Sequence, residues 1–144
     1  MKNLTAILCL TLAVLLGSVG NSESADFQKG VTAYESGNYA TALREWKPLA
    51  EQGNAYAQFA LGEMYDKGKG VPQDYKTAVK WYRLAAEQGN AKSQGNLGLM
   101  YYNGDGVPQD DRTAEKWWRL AAEQGGAVAQ YNLENLLKPW WKFW

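Results

Sequence analysis

The chain has 144 residues, enough for one domain, and its 15 Lys and Arg balance 15 Asp and Glu. Nothing in that balance forms the basic footprint of a nucleic-acid binder. There is no histidine and a single cysteine, Cys9, which excludes a Ser-His-Asp triad and leaves a zinc site only carboxylates for ligands.

Residues 1–22 differ from the rest. Met1-Lys2-Asn3 carries one positive charge, Leu4 to Leu16 is apolar apart from Thr5, Cys9 and Thr11, and Gly17-Ser18-Val19-Gly20 is small. This is the shape of a secretory signal peptide, with a cut after Gly20 or after Ser22. The rival reading is an uncleaved anchor, although the apolar run is shorter than the roughly 20 residues that cross a bilayer. Cys9 lies in this segment, so the exported chain has neither thiol nucleophile nor disulfide. The expected location is outside the cytoplasm, periplasmic or secreted.

Residues 27–54 predict a degenerate helix pair, with Gly30, Ala33, Ala42, Trp46 and Ala50 among its pattern. Residues 55–90 and 91–126 are then two copies of one 36-residue unit, identical at 23 positions without a gap. A period of this length indicates stacked helical hairpins, each burying its apolar face on its neighbours. In the first helix of each copy, Ala57, Leu61 and Tyr65 become Ser93, Leu97 and Tyr101, an apolar stripe on a 3.6-residue helix. The second helix alternates rings and alanines: Ala78, Trp81, Tyr82, Ala85 and Ala86, then Ala114, Trp117, Trp118, Ala121 and Ala122.

Gly62 and Gly98 fall mid-helix, where glycine costs about 1 kcal/mol relative to alanine. Repetition of that cost predicts close approach of the partner helix. The segments Gly68-Lys69-Gly70-Val71-Pro72 and Gly104-Asp105-Gly106-Val107-Pro108 predict turns, followed by Asp74 and Asp110 as helix caps. The exchange of Lys69 for Asp105 argues against an ion-binding loop, and Asp110-Asp111 reads as a helix start rather than a catalytic carboxylate pair. Residues 127–138 predict a capping helix, with Glu134 where Gly62 and Gly98 stood. Residues 139–144 form an aromatic tail holding Trp140, Trp141, Phe143 and Trp144. Three roles suit it: a lid folded over the last helix, a docking segment for a partner or second copy, or a membrane-interface contact.

Leu61-Gly62-x-x-Tyr65-x-x-Gly68-x-Gly70-Val71, with Asp74, Ala78, Trp81, Ala85-Ala86 and Gly89, resembles the Sel1-like repeat, a relative of the tetratricopeptide repeat. The resemblance spans 55–126 fully and 27–54 and 127–138 in part. It implies an all-α fold, an α/α superhelix (solenoid) of helix-turn-helix repeats used as an adaptor between proteins. A secreted, cysteine-rich branch of the family is described as binding or cleaving β-lactams. This chain lacks those cysteine pairs, so no residue of that branch carries over, and a cell-wall or β-lactam-related role stands only as the alternative by analogy.

The expectation is therefore a non-enzymatic scaffold without cofactor or metal, whose first helices line a concave face for a protein or peptide. The residues expected there are Tyr56, Phe59 and Glu63, then Lys92, Asn96, Leu99 and Tyr102, then Val128, Tyr131, Asn132 and Asn135. Framework positions repeat between the copies while these diverge. The resemblance further implies that Asn96 and Asn132 grip a peptide backbone or carboxylate; the competing reading is an ordinary solvated or inter-helix amide.

Overall fold

The computed structural model describes residues 24–138. Those residues form seven helices: α1 over 24–35, α2 Tyr39–Glu51, α3 Ala55–Lys67, α4 Tyr75–Glu87, α5 Ala91–Asn103, α6 Asp111–Glu123 and α7 Ala127–Leu137. Consecutive helices pack on one another, most extensively within the hairpins α3–α4 and α5–α6, and α3 also touches α5. The architecture is thus an all-α array of stacked hairpins. The signal-like segment 1–22 and the aromatic tail 139–144 lie outside the described residues.

Helices α2 to α6 each start where a short polar side chain accepts free backbone N–H groups of the first turn, whereas α7 starts at Gly126 without a side-chain cap. Asp74 Oδ1 accepts from Lys76 N at 3.0 Å and Thr77 N at 3.2 Å, and Asp110 repeats this with Arg112 and Thr113. The Thr77 and Thr113 hydroxyls donate to the same carboxylates and hold both below the usual aspartate range. Asn38, Asn54 and Asn90 cap α2, α3 and α5 in the same way. The inter-helix turns do more than reverse the chain. Gly106 has φ 70°, and a Cβ there would lie 2.5 Å from the Tyr75 carbonyl carbon, so the turn of the second unit lies directly on the start of α4.

The core is a row of rings seated on glycines. Trp46 lies over Gly30, Tyr82 over Gly62 and Trp118 over Gly98; a Cβ on Gly62 or Gly98 would come within 2.5 Å of the ring above it. The expected close approach is present in both full units and in the degenerate first one. Ala78, Ala85, Ala114 and Ala121 are the small partners, all buried. The neighbouring tryptophans face the other way: Trp81 packs on the cluster built from α1, α2 and α3, and Trp117 on that of α4 and α5. One ring of each pair closes its own hairpin and the other ties it to the preceding unit. Each large side chain so buried contributes roughly 1.5–3 kcal/mol.

A second repeated device is polar. Gln58 Nε2 donates to the Ala50 carbonyl at 3.0 Å, Gln94 Nε2 to Ala86 at 3.1 Å and Gln130 Nε2 to Ala122 at 3.3 Å. Each glutamine adds a side-chain donor to a carbonyl in the last turn of the preceding second helix, which also accepts from the N–H of Gly53, Gly89 or Gly125. Gln88 Nε2 then donates to Gln58 Oε1 at 2.7 Å, and Gln124 Nε2 to Gln94 Oε1 at 2.8 Å. The glutamines thus link successive units through otherwise apolar junctions.

One member of the framework departs from this economy. Ser93 is fully buried and its hydroxyl has no hydrogen-bond partner among the described residues. The equivalent positions hold Ala57 and Ala129, also buried. Ser93→Ala should stabilise the chain by about 1 kcal/mol, because the desolvated hydroxyl is removed and the helix gains a better former. A thermal melt should rise by about 4 °C; a fall would show that the hydroxyl is bonded.

Candidate partner-binding groove

The first helices of the units present one continuous hollow. Its first part, about 670 Å³, runs from Phe27, Val31 and Glu35 of α1 across Tyr56, Phe59, Ala60 and Glu63 of α3 to Ala91 and Lys92 of α5. Its second part, about 470 Å³, is lined by Phe59 and Glu63, by Lys92, Gly95, Asn96 and Leu99 of α5, and by Val128 and Asn132 of α7. The two share Phe59, Glu63, Ala91 and Lys92. The spacing explains the floor: positions 92, 95, 96 and 99 form one stripe of α5, away from the buried Ser93, Leu97 and Met100.

Of the eleven residues expected on this face, Tyr56, Phe59, Glu63, Lys92, Asn96, Leu99, Val128 and Asn132 line the hollow. Tyr102, Tyr131 and Asn135 do not appear in its lining. Tyr102 is turned toward its own hairpin, where its ring meets Trp118 with centroids 5.5 Å apart. The equivalent Asp66 does the same by another chemistry, accepting a 3.2 Å hydrogen bond from the Tyr82 hydroxyl. Asn135 Oδ1 accepts from Lys138 Nζ at 3.1 Å, and Tyr131 is exposed on α7. The sequence reading missed Phe27, Val31 and Glu35, although their spacing of four places them on one face of a first helix. Gly95 also lines the hollow, at the divergent position that Phe59 and Tyr131 hold in the neighbouring units.

The electrostatics are local. Glu63 pairs with Lys67 at 2.5 Å, whereas Lys92 has no carboxylate partner among the described residues and sits 5.8 Å from the Phe59 ring centroid. The Asn96 amide lies beside the buried Tyr82 hydroxyl, whose pKa is pushed up by burial and by the charge of Asp66. Asp66 is itself pushed up by burial. Asn96 therefore faces both the groove and the hairpin interior. Among the described residues no group of three His, Cys, Asp or Glu could hold a metal ion. No helix among them is long and apolar enough to cross a membrane.

Gly95 differs from Gly98 although both lie in α5. A Cβ built on Gly95 meets nothing within 4 Å. Gly95→Ala should stabilise the helix by about 0.5–1 kcal/mol through propensity alone. A chemical denaturation midpoint should rise while the slope stays constant. A lower midpoint would place a neighbour where the geometry leaves open space.

The architecture is that of a helical-hairpin solenoid with an open inner face. The model of the Sel1 repeat matches residues 55–90 and 91–126, half of the chain, and the chain belongs to that family. A Sel1 repeat protein from Oxalobacter formigenes is similar at 40% identity and a TM-score of 0.73, over 76% of this chain and 45% of that one. So is c5321, a protective antigen present in uropathogenic Escherichia coli strains displaying an SLR fold, at 39% identity and a TM-score of 0.74, over 84% of this chain and 27% of that one. This chain therefore spans less than half the length of either protein. Helicobacter pylori cysteine rich protein B shares the fold at 21% identity, with a TM-score of 0.62, over 78% of this chain and 95% of that one. Comparison with curated proteins returns no match. Sel1 repeat proteins generally serve as scaffolds for protein–protein interaction.

Proposed function

We propose that the chain is a non-enzymatic scaffold of the cell envelope that binds an extended peptide or a partner helix along the hollow of α1, α3, α5 and α7. The observation that supports this most is the divergence of the groove over a repeated frame. Rings rest on Gly62 and Gly98 alike, yet equivalent groove positions hold Phe59, Gly95 and Tyr131, or Tyr56, Lys92 and Val128. An apolar floor with a few amides and one lysine suits side-chain anchors with backbone hydrogen bonds beside them. Placement in the envelope rests on the signal-like composition of residues 1–22. Within this reading Asn96 and Asn132 hold the ligand backbone, and Lys92 holds an acidic group.

The experiment is selection from a displayed random peptide library on the purified chain, followed by titration of the winning peptides. Lys92→Glu and Asn96→Ala should weaken them at least tenfold, while Arg112→Glu, exposed at the start of α6, should leave affinity unchanged. Equal loss in all three variants, or none, would contradict the groove assignment. Turnover of nitrocefin above background would contradict the non-enzymatic reading.

A further inference from the structure

Four first-helix positions are equivalent, three residues before Gly30, Gly62, Gly98 and Glu134, and they hold Phe27, Phe59, Gly95 and Tyr131. In the first two units the ring at this position lies between two neighbours. Phe27 stacks on Trp46 of its own hairpin with centroids 5.9 Å apart, and meets Tyr56 of the next first helix at 6.2 Å. Phe59 lies 6.0 Å from Tyr82, and Lys92 of the next first helix sits 5.8 Å from its centroid. The third unit keeps these surroundings and omits the ring. Trp118 Nε1 donates to the Gly95 carbonyl at 3.1 Å, as Trp46 Nε1 does to the Phe27 carbonyl. Val128 stands where Tyr56 and Lys92 stand in the preceding units. A Cβ on Gly95 meets nothing within 4 Å.

The vacancy opens into the second part of the hollow. Along α5 it is a dip between Ala91 and Leu99, one turn away on either side, and Phe59 and Val128 flank it. Gly62 and Gly98 are covered by rings of this chain, whereas Gly95 presents bare backbone. Lys92 lies three residues back, exposed on the same side of the helix. Among the described residues, Glu63 is the other charged group lining this part, and Lys67 holds it, so the free charge beside the dip is positive. We infer that the slot over Gly95 takes one aromatic side chain of the bound peptide, with an acidic residue of that peptide beside it on Lys92. This rests on the groove reading and adds to it the chemistry of the ligand. A ring fits because the same position carries one in both preceding units, and because a flat face lies closely on glycine backbone, as Tyr82 does on Gly62. Residues three apart on a helix are about 5 Å apart, which an extended peptide covers in one or two residues.

The test titrates the purified chain with short synthetic peptides of Ser, Asn and Ala in which one central residue is Trp, Phe, Leu or Ser and its neighbour Glu or Lys. Peptides with a ring beside Glu should bind at least about tenfold more tightly than those with Leu or Ser at the centre. Their addition should shift the Ala91, Gly95 and Leu99 amide signals of the unaltered chain in NMR spectra, which keeps the test open if a variant does not fold. Gly95→Phe supplies the ring from within and should abolish the preference for a ring, with its melting temperature as the control for folding. Lys92→Glu should move the preference of the neighbouring position from Glu to Lys. Equal affinity for the Trp, Phe and Leu peptides, or a preference that survives Gly95→Phe, would overturn the inference; if Asn96→Ala still weakened those peptides, the groove reading would stand without it. Absence of binding by the whole panel would overturn it too, and selection from the displayed library then decides the groove reading separately, since its winners need not carry a ring. A dimer that dissociates on Gly95→Phe would assign the slot to a second copy, which also contradicts the inference.

Discussion

Gly98→Leu should lower the melting temperature by about 12 °C, the loss of about 3 kcal/mol expected when a well-packed site is overfilled. The Trp118 ring above Gly98 is the obstacle. A Cβ at residue 98 would lie 2.5 Å from Trp118 Cδ1 and Nε1. The indole cannot tilt away cheaply. Its Nε1 donates to the Gly95 carbonyl at 3.1 Å, the tilted Tyr102 ring lies 5.5 Å from it between centroids, and Trp118 is 2% exposed. Relief must come from separating α5 from α6, which opens the cluster of Ala114, Ala121 and Ala129. The leucine gains helix propensity of about 0.8 kcal/mol over glycine, which is small beside that strain. Circular dichroism at a low temperature should still report helix. An unchanged melt would contradict the contact.

Gln94→Leu should cost about 1.5 kcal/mol, although the two side chains are similar in size and the site is apolar. Leucine leaves the Ala86 carbonyl without its 3.1 Å donor and the Gln124 amide without its 2.8 Å acceptor. The carbonyl keeps its bond from Gly89 N at 3.0 Å, and the Gln124 amide is exposed to water, so the cost is that of the lost bonds, roughly 0.5–1.5 kcal/mol each, partly offset by one more buried apolar side chain. The array supplies its own control. Gln130 makes the equivalent bond to Ala122 from an exposed position, where water replaces the lost partner. Gln130→Leu should therefore fall within about 0.5 kcal/mol of the parent. Urea unfolding of both variants measures the contrast, and equal costs would show that the glutamines do not act through burial.

Much of the fold was legible because the repeat reports the same physics twice. A mid-helix glycine is unremarkable once; at Gly62 and again at Gly98 it marks a place where a side chain is excluded. Rings at Tyr82 and Trp118, matched to those glycines at fixed spacing, identify what does the excluding. The caps at Asp74 and Asp110 followed from turn chemistry. The asparagines at 54 and 90 were harder to read, because they follow the Gln-Gly end of one helix and also begin the next. The glutamine ladder was hidden for a different reason. A polar residue inside an apolar stripe looks like solvated surface until the preceding helix end, eight residues back in the chain, is placed beside it.

The groove was legible in outline, since residues three and four apart on α5 must share a face. It failed where a side chain had two neighbours to choose from. Tyr102 continues the stripe of Lys92, Asn96 and Leu99, yet its ring meets the Trp118 indole instead. Gly95 is legible only by comparison, since Phe59 and Tyr131 at the equivalent positions show that a ring is missing there.

The account depends on rings packed against glycine across each hairpin, with the inner face left free. Gly98→Ala measured in the parent and in a Trp118→Leu background tests it most directly. In the parent the added methyl meets the indole, and the melting temperature should fall. With the indole gone, the same methyl should raise it, because alanine favours the helix by about 1 kcal/mol. A shift of the same sign and size in both backgrounds would contradict the packing from which the hairpins, and the groove they frame, are built.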